Sequence, residues 1–224
     1  MRGKNRTHSS AGLLVNEIFF SIQGESLYAG RPCVFVRLTG CNLRCAYCDT
    51  SYAWSGGRDM EIEEIVSAVQ AYGFPLVEIT GGEPLLQKNT PELVRRLLDG
   101  QMEVMMETNG TFPIDLVPEE CIRVMDIKCP ASGQSHKTDF NNINRLGSAD
   151  QVKFVICDRG DYEFAKGITE RFLKEGKSGT VLISPCFGII DPAEVAGWMI
   201  EDRLEARLQL QLHKILWPDA EKGA

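Results

Sequence analysis

Short apolar and β-branched runs alternate along this chain with segments of helical periodicity, and that alternation admits few architectures. Runs at 32–38, 76–80, 103–108, 122–128, 151–157 and 180–184 predict strands, and 207–212 predicts the last one. Helical patterns at 61–71, 90–98, 162–174 and 192–201 fall between them. Gly73 stops the first, and Pro91 opens the second where its missing N–H costs nothing. Strands separated by helices pair in parallel and gather functional groups at their carboxyl ends. The stretch 129–149 has no periodicity, so a loop is expected where a crossover helix would stand. A chain of 224 residues forms one domain, expected over 13–224, with 1–12 as a disordered leader. The fold class is α/β, with about six parallel strands.

Directly after the first of these runs come Cys41, Cys45 and Cys48, spaced C-x3-C-x2-C. A structural zinc takes four protein ligands, and a catalytic zinc rarely takes three cysteines. A cubane iron–sulfur cluster takes one ligand per iron, so three thiolates leave one iron open to something that is not protein. A chain of this length buries about 70% of its unfolded surface and needs no disulfides. The basic, polar residues 1–10 form no secretory signal, and no run approaches the ~18 apolar residues of a membrane span. A cytoplasmic protein in a reducing compartment is expected, where clustered cysteines mean metal or redox chemistry. Cys33, Cys121, Cys129, Cys157 and Cys186 are scattered and are expected as small apolar fillers. A net charge of −7 without a Lys/Arg stripe argues against gripping nucleic acid directly.

The second run ends in Gly81-Gly82-Glu83-Pro84. Paired glycines let a backbone approach a ligand closely. That signal is weak alone, but about 30 residues after the triplet and at a strand end it is strong. The triplet, the aromatic Tyr47 before its last cysteine, and the glycine turn together resemble the radical S-adenosylmethionine (SAM) enzymes. The resemblance implies an open, partial, trimmed TIM-like barrel. It also implies a 4Fe–4S cluster on the three cysteines, with SAM chelating the open iron. Electron transfer to the sulfonium then releases methionine and a 5′-deoxyadenosyl radical. SAM would be bordered by Tyr47, Cys48, Asp49 and the Gly82 backbone, and by Asp126, Ile127 and Lys128. Many members carry Ser-Pro-Lys at the last three positions, of which only Lys128 matches.

Further segments narrow the resemblance. Residues 16–26, Thr50, Thr80, 107–110 and 211–218 are similar to those of the 7-carboxy-7-deazaguanine synthase family, and the likeness runs from 14 to 218. It implies a carbon–nitrogen lyase that converts 6-carboxy-5,6,7,8-tetrahydropterin to 7-carboxy-7-deazaguanine for queuosine synthesis. Hydrogen leaves C6, the ring contracts and ammonia is lost. Ile22, Gln23, Gly24, Thr80 and Pro218 would meet the pterin, and Arg37 its carboxylate. Thr50 would ligate Mg²⁺, with Glu25, Glu107 and His213 as further contacts. A flavodoxin- or ferredoxin-type electron donor and a homodimer are also implied. Plainer roles compete: a salt-bridged strand arginine for Arg37, a helix cap for Thr50, a turn contact for Glu107 and a structural histidine for His213. Two rival functions share parts of the signature, namely a glycyl-radical activating enzyme acting on a protein partner and a zinc-binding interaction module.

Overall fold

The computed structural model describes residues 12–177, 179–220 and 222–223. Among the described residues nine strands form one sheet: β1 (Gly12–Ile22), β2 (Pro32–Leu38), β3 (Arg58–Glu61), β4 (Leu76–Gly81), β5 (Glu103–Thr108), β6 (Ile122–Asp126), β7 (Gln151–Ile156), β8 (Thr180–Pro185) and β9 (Arg207–Leu208). Their order is β3-β1-β2-β4-β5-β6-β7-β8-β9. From β2 through β4 to β9 neighbours are parallel, whereas β1 runs antiparallel to both β2 and β3. The end strands β3 and β9 do not meet, so the barrel is open.

All six main strands and four helices fall where the sequence predicts them. The helices are α1 (Ile62–Gln70), α2 (Thr90–Asp99), α3 (Arg159–Lys174) and α4 (Pro192–Asp202). α3 starts three residues early because the Asp158 side chain caps it, accepting from Asp161 N at 2.8 Å. Between 129 and 149 only short 3-10 turns appear, so the barrel is trimmed as well as open.

Two expectations need correction. Gly12, expected in the leader over 1–12, belongs to β1 and pairs with Glu61; residues 1–11 lie outside the described residues. The last strand covers only 207–208; Gln209 N still donates to Ile183 O at 2.9 Å, while the Gln209 and Gln211 side chains turn to the loop after β1. A short helix, α5 (Leu212–Leu216), follows.

Strand alternation divides the apolar residues between two faces. Val34, Val36, Val77, Ile79, Val104 and Met106 pack outward against α1 and α2. Their neighbours Cys33, Phe35, Leu76, Met105, Ile122 and Val124 form a separate plug. Phe35 and Val124 from this plug reach the floor of a cavity at the carboxyl ends of the strands. A second core around Phe154, Tyr162 and Ile183 joins α3 and α4 to β7 and β8. Arg123 and Asp150, both buried, lock the start of β7 to β6 through bonds of 2.5–3.1 Å. Among the described residues no helix is long and apolar enough to cross a membrane.

Candidate active site

The cysteine loop leaves β2 and is clamped by the turn that ends β4. Gly82 N donates to Leu38 O at 3.2 Å and Glu83 N to Gly40 O at 2.8 Å. A Cβ on Gly82 would sit inside contact with the Gly40 carbonyl and 2.9 Å from Cys41 Cβ. Gly81 has φ +133°, a conformation that only glycine adopts without strain. The glycine pair therefore also serves a purpose the sequence reading did not give it, letting two backbones cross. Glu83 lies wholly buried beneath the turn and accepts from Leu85 N (3.0 Å), Thr108 Oγ1 (2.8 Å) and Asn109 N (2.6 Å). Burial pushes its carboxyl up to about 7 despite these donors. Asn109 Nδ2 in turn donates to Asn42 Oδ1 at 3.0 Å, so the ends of β4 and β5 hold the loop. On its far side Ala46 N donates to Ser132 O at 3.2 Å, which anchors the loop to the segment replacing a crossover helix.

Cys41, Cys45 and Cys48 line one cavity of about 280 Å³ together with most of the residues singled out from the sequence. Its walls include Ile22, Gln23, Gly24, Glu25, Arg37, Tyr47, Asp49, Thr50, Thr80, Gly82, Glu107, Asp126, Lys128 and His213. Arg37 Nε binds Glu17 Oε1 at 2.7 Å, and Tyr52 OH donates to the same oxygen at 2.9 Å. The plainer reading of a salt-bridged strand arginine thus holds for Nε, one of five guanidinium donors. Thr50 stands at the N-cap position of a 3-10 turn, yet its hydroxyl caps nothing and donates to Asp49 Oδ1 at 2.9 Å. A side chain on Gly24 would meet the His213 ring and backbone at 3.0 Å or less, and Leu212 N donates to Gly24 O at 3.0 Å. The tail is thereby folded onto the loop after β1. Burial pushes His213 below the ordinary histidine value.

Two expected contacts are not brought to the cavity. Pro218 is exposed and outside the lining, because α5, seated on Gly24, leads the chain away. The Ile127 side chain is buried in the core with Met125 and Val152, which leaves only its backbone for any contact with SAM.

The cavity also contains two residues that sequence reasoning missed, Lys153 and Glu78. Lys153 is buried and binds Glu25 Oε2 at 2.8 Å, Glu107, and Asp126 Oδ2 at 3.5 Å. Burial opposes charge on Glu25 and Asp126, but Lys153, and Lys128 at 2.7 Å from Asp126, hold both below the usual carboxylate range. Glu78 accepts from Gln23 Nε2. Each is a single charged residue inside an apolar strand, at a position whose neighbours face the core, and that pattern is the signal that could have found them.

These residues fit an iron–sulfur cluster and SAM. Three thiolates of one loop line the same cavity, and a cluster takes one thiolate per iron. Tyr47 OH and Asp126 Oδ1 are buried without a hydrogen-bond partner among the described residues, beside the cysteines in the same cavity, and can serve a polar ligand. The Thr50 and Asp49 oxygens suit a hard cation such as Mg²⁺.

Residues 35–194 match the model of the radical SAM superfamily, and the chain belongs to it. A 4Fe–4S cluster and SAM are therefore its cofactors. The 7-carboxy-7-deazaguanine synthase of Koribacter versatilis is 45% identical, over 93% of this chain and 99% of that protein. That of Chlorobaculum tepidum is 44% identical over 95% and 98%. Within the superfamily the chain belongs to the 7-carboxy-7-deazaguanine synthases. The crystal structure of QueE from Escherichia coli shares the fold, with a TM-score of 0.75 over 89% of this chain and 94% of that one at 21% identity.

Proposed function

We propose that this chain converts 6-carboxy-5,6,7,8-tetrahydropterin to 7-carboxy-7-deazaguanine, losing ammonia, in the cavity at the strand ends. The observation that carries this reading is the meeting, in one cavity, of the three cysteines with Gln23, Glu25, Arg37, Thr80, Glu107 and His213. Cys41, Cys45 and Cys48 would hold the cluster. Tyr47, Asp49, Gly82, Asp126, Lys128 and the Ile127 backbone would hold SAM, and Thr50 would hold Mg²⁺. When bound and reduced, these groups supply a primary carbon radical able to take hydrogen from an unactivated C–H.

The chain's own work is to orient one C–H and keep water out. Arg37 offers its remaining guanidinium donors to the substrate carboxylate, steadied by Glu17 and Tyr52. Gly24 and His213 bring the tail over the ring, and the apolar plug under Phe35 and Val124 closes the floor. Arg37→Gln is expected to raise the KM for the pterin tenfold to a hundredfold, as a lost charged hydrogen bond does, with kcat little changed. Anaerobic steady-state kinetics measure it.

One continuous sheet supports a single domain. Eight free cysteines favour a reducing cytoplasm, where a flavodoxin- or ferredoxin-type protein would supply electrons to a homodimer. Anaerobic incubation with the pterin, SAM and dithionite tests the reading. Formation of 7-carboxy-7-deazaguanine supports it. Its absence, with a glycyl radical formed on an added partner protein, would overturn it.

A further inference from the structure

Glu78 lines the cavity but has no part in the reaction as assigned above. It alternates along β4 with Val77 and Ile79, which pack in the outer core, so Glu78 and Thr80 share the inner face. Its register partners, Phe35 on β2 and Met105 on β5, belong to the apolar plug. The carboxyl thus stands on the cavity floor, with the residue 6% exposed. Gln23 Nε2 donates to its Oε2, while Gln23 Oε1 accepts from Glu25 N at 2.9 Å. The Gln23 amide is therefore spent at both ends in holding Glu78 against the loop after β1.

Three carboxylates already share the two lysines facing this floor, and Arg37 of β2, also in the lining, is taken by Glu17. Glu25 comes from that loop, Glu107 from β5, Asp126 from β6, and Lys153 from β7, while Lys128 pairs with Asp126 and the tail brings His213. A fourth ionised carboxylate would have only Lys153 nearby, a cation that Glu25, Glu107 and Asp126 already share. Burial, with Glu107 and Glu25 close by, pushes Glu78 up to about 8, which favours its neutral form near neutral pH. A neutral carboxyl presents one donor beside one acceptor, whereas a carboxylate only accepts. A lactam, C=O beside N–H, is the complement of the neutral form.

Resting on the reading of this cavity as the pterin site, we propose that Glu78 is a specificity-determining residue. It reads the lactam edge of the substrate's pyrimidine ring, its O–H donating to the ring carbonyl and its C=O accepting from the adjacent N–H.

The product 7-carboxy-7-deazaguanine keeps that edge and serves as the probe. Its binding to the reconstituted holoenzyme is measured anaerobically by titration calorimetry from pH 6.5 to 9. Wild-type affinity should stay level to about pH 8 and then weaken, approaching tenfold per unit as the acid ionises. Glu78→Gln, which keeps a donor and an acceptor, should bind within about threefold and stay level throughout. Glu78→Ala should bind about tenfold more weakly at every pH. Should alanine impair folding, the level profile of the glutamine variant still decides. Unchanged binding in Glu78→Ala, tighter wild-type binding above pH 8, or a glutamine variant as weak as alanine would overturn the assignment. If the wild type neither binds the product nor forms it, the reading of the reaction fails. If it does both and the variants match it, only the role of Glu78 fails.

Discussion

Alanine at Gly82 is expected to cost the protein its cluster and about 3 kcal/mol of stability, the upper end of the range for overpacking. The added methyl has nowhere to go. It meets the Gly40 carbonyl and stands 2.9 Å from Cys41 Cβ, and neither neighbour is the flexible end of a side chain. Relief requires the β4 turn to pull away from the cysteine loop, breaking the bonds of Gly82 N to Leu38 O and Glu83 N to Gly40 O. Cys41 then leaves its place relative to Cys45 and Cys48. Iron analysis after anaerobic reconstitution should fall from about four per chain to below one. The melting temperature should drop by roughly 6–12 °C for a domain of this size. Gly167→Ala is the control, since a methyl there, inside α3, meets nothing within 4 Å. It should gain up to about 1 kcal/mol and keep its iron. A Gly82→Ala protein with full iron content would show that the turn does not clamp the loop.

Lys153→Met is expected to destabilise the fold by about 3–5 kcal/mol near neutral pH, the cost of leaving buried charge uncompensated. The lysine is 4% exposed and answers Glu25, Glu107 and Asp126 together. Asp126 keeps Lys128 at 2.7 Å, so Glu25 and Glu107 suffer most. In the wild type Glu25 is held below its ordinary value, so its contribution is present above about pH 4.5 and lost as pH falls through the lowered value. Lys153 itself is raised well above its usual range, so its contribution persists until strongly alkaline pH. In the variant Glu25 has lost the cation that outweighed burial, and protonation relieves it. The gap between variant and wild type should therefore be widest near pH 8 and narrow toward pH 5. Urea unfolding at pH 5, 6.5 and 8 measures this. A gap below 1 kcal/mol, or one that ignores pH, would contradict the lysine's role as the shared cation.

What the sequence made legible follows from where its signals are local. The parallel strands and four helices carry unbroken periodicity and short connections, and the cysteine triplet and glycine turn are contiguous motifs. β1 escaped notice because its alternation is broken. The register to β2 shifts between Val15 and Glu17, so the run GLLVNEIFFSI lacks a clean two-residue repeat. A strand is expected over 207–212, but the glutamines within it answer to Glu25 and Ser26 across the barrel mouth. Nothing in the local pattern announces such a partner. Lys153 and Glu78 do carry a local signal, a lone charge in an apolar strand, but its meaning depends on the fold. Inside a barrel the inner face of a strand is polar near its carboxyl end, and only the assembled fold shows which face is inner. For Pro218 only the motif points to the pterin, and the path of α5 leads it outward.

The most direct measurement uses 6-carboxytetrahydropterin carrying deuterium at C6, incubated anaerobically with the reconstituted protein, SAM and reductant. Mass spectrometry should find 7-carboxy-7-deazaguanine formed in step with ammonia, and deuterium carried into 5′-deoxyadenosine. Recovery of unconverted pterin with its label intact, while SAM is cleaved to unlabelled 5′-deoxyadenosine, would contradict the assignment of this cavity to the pterin.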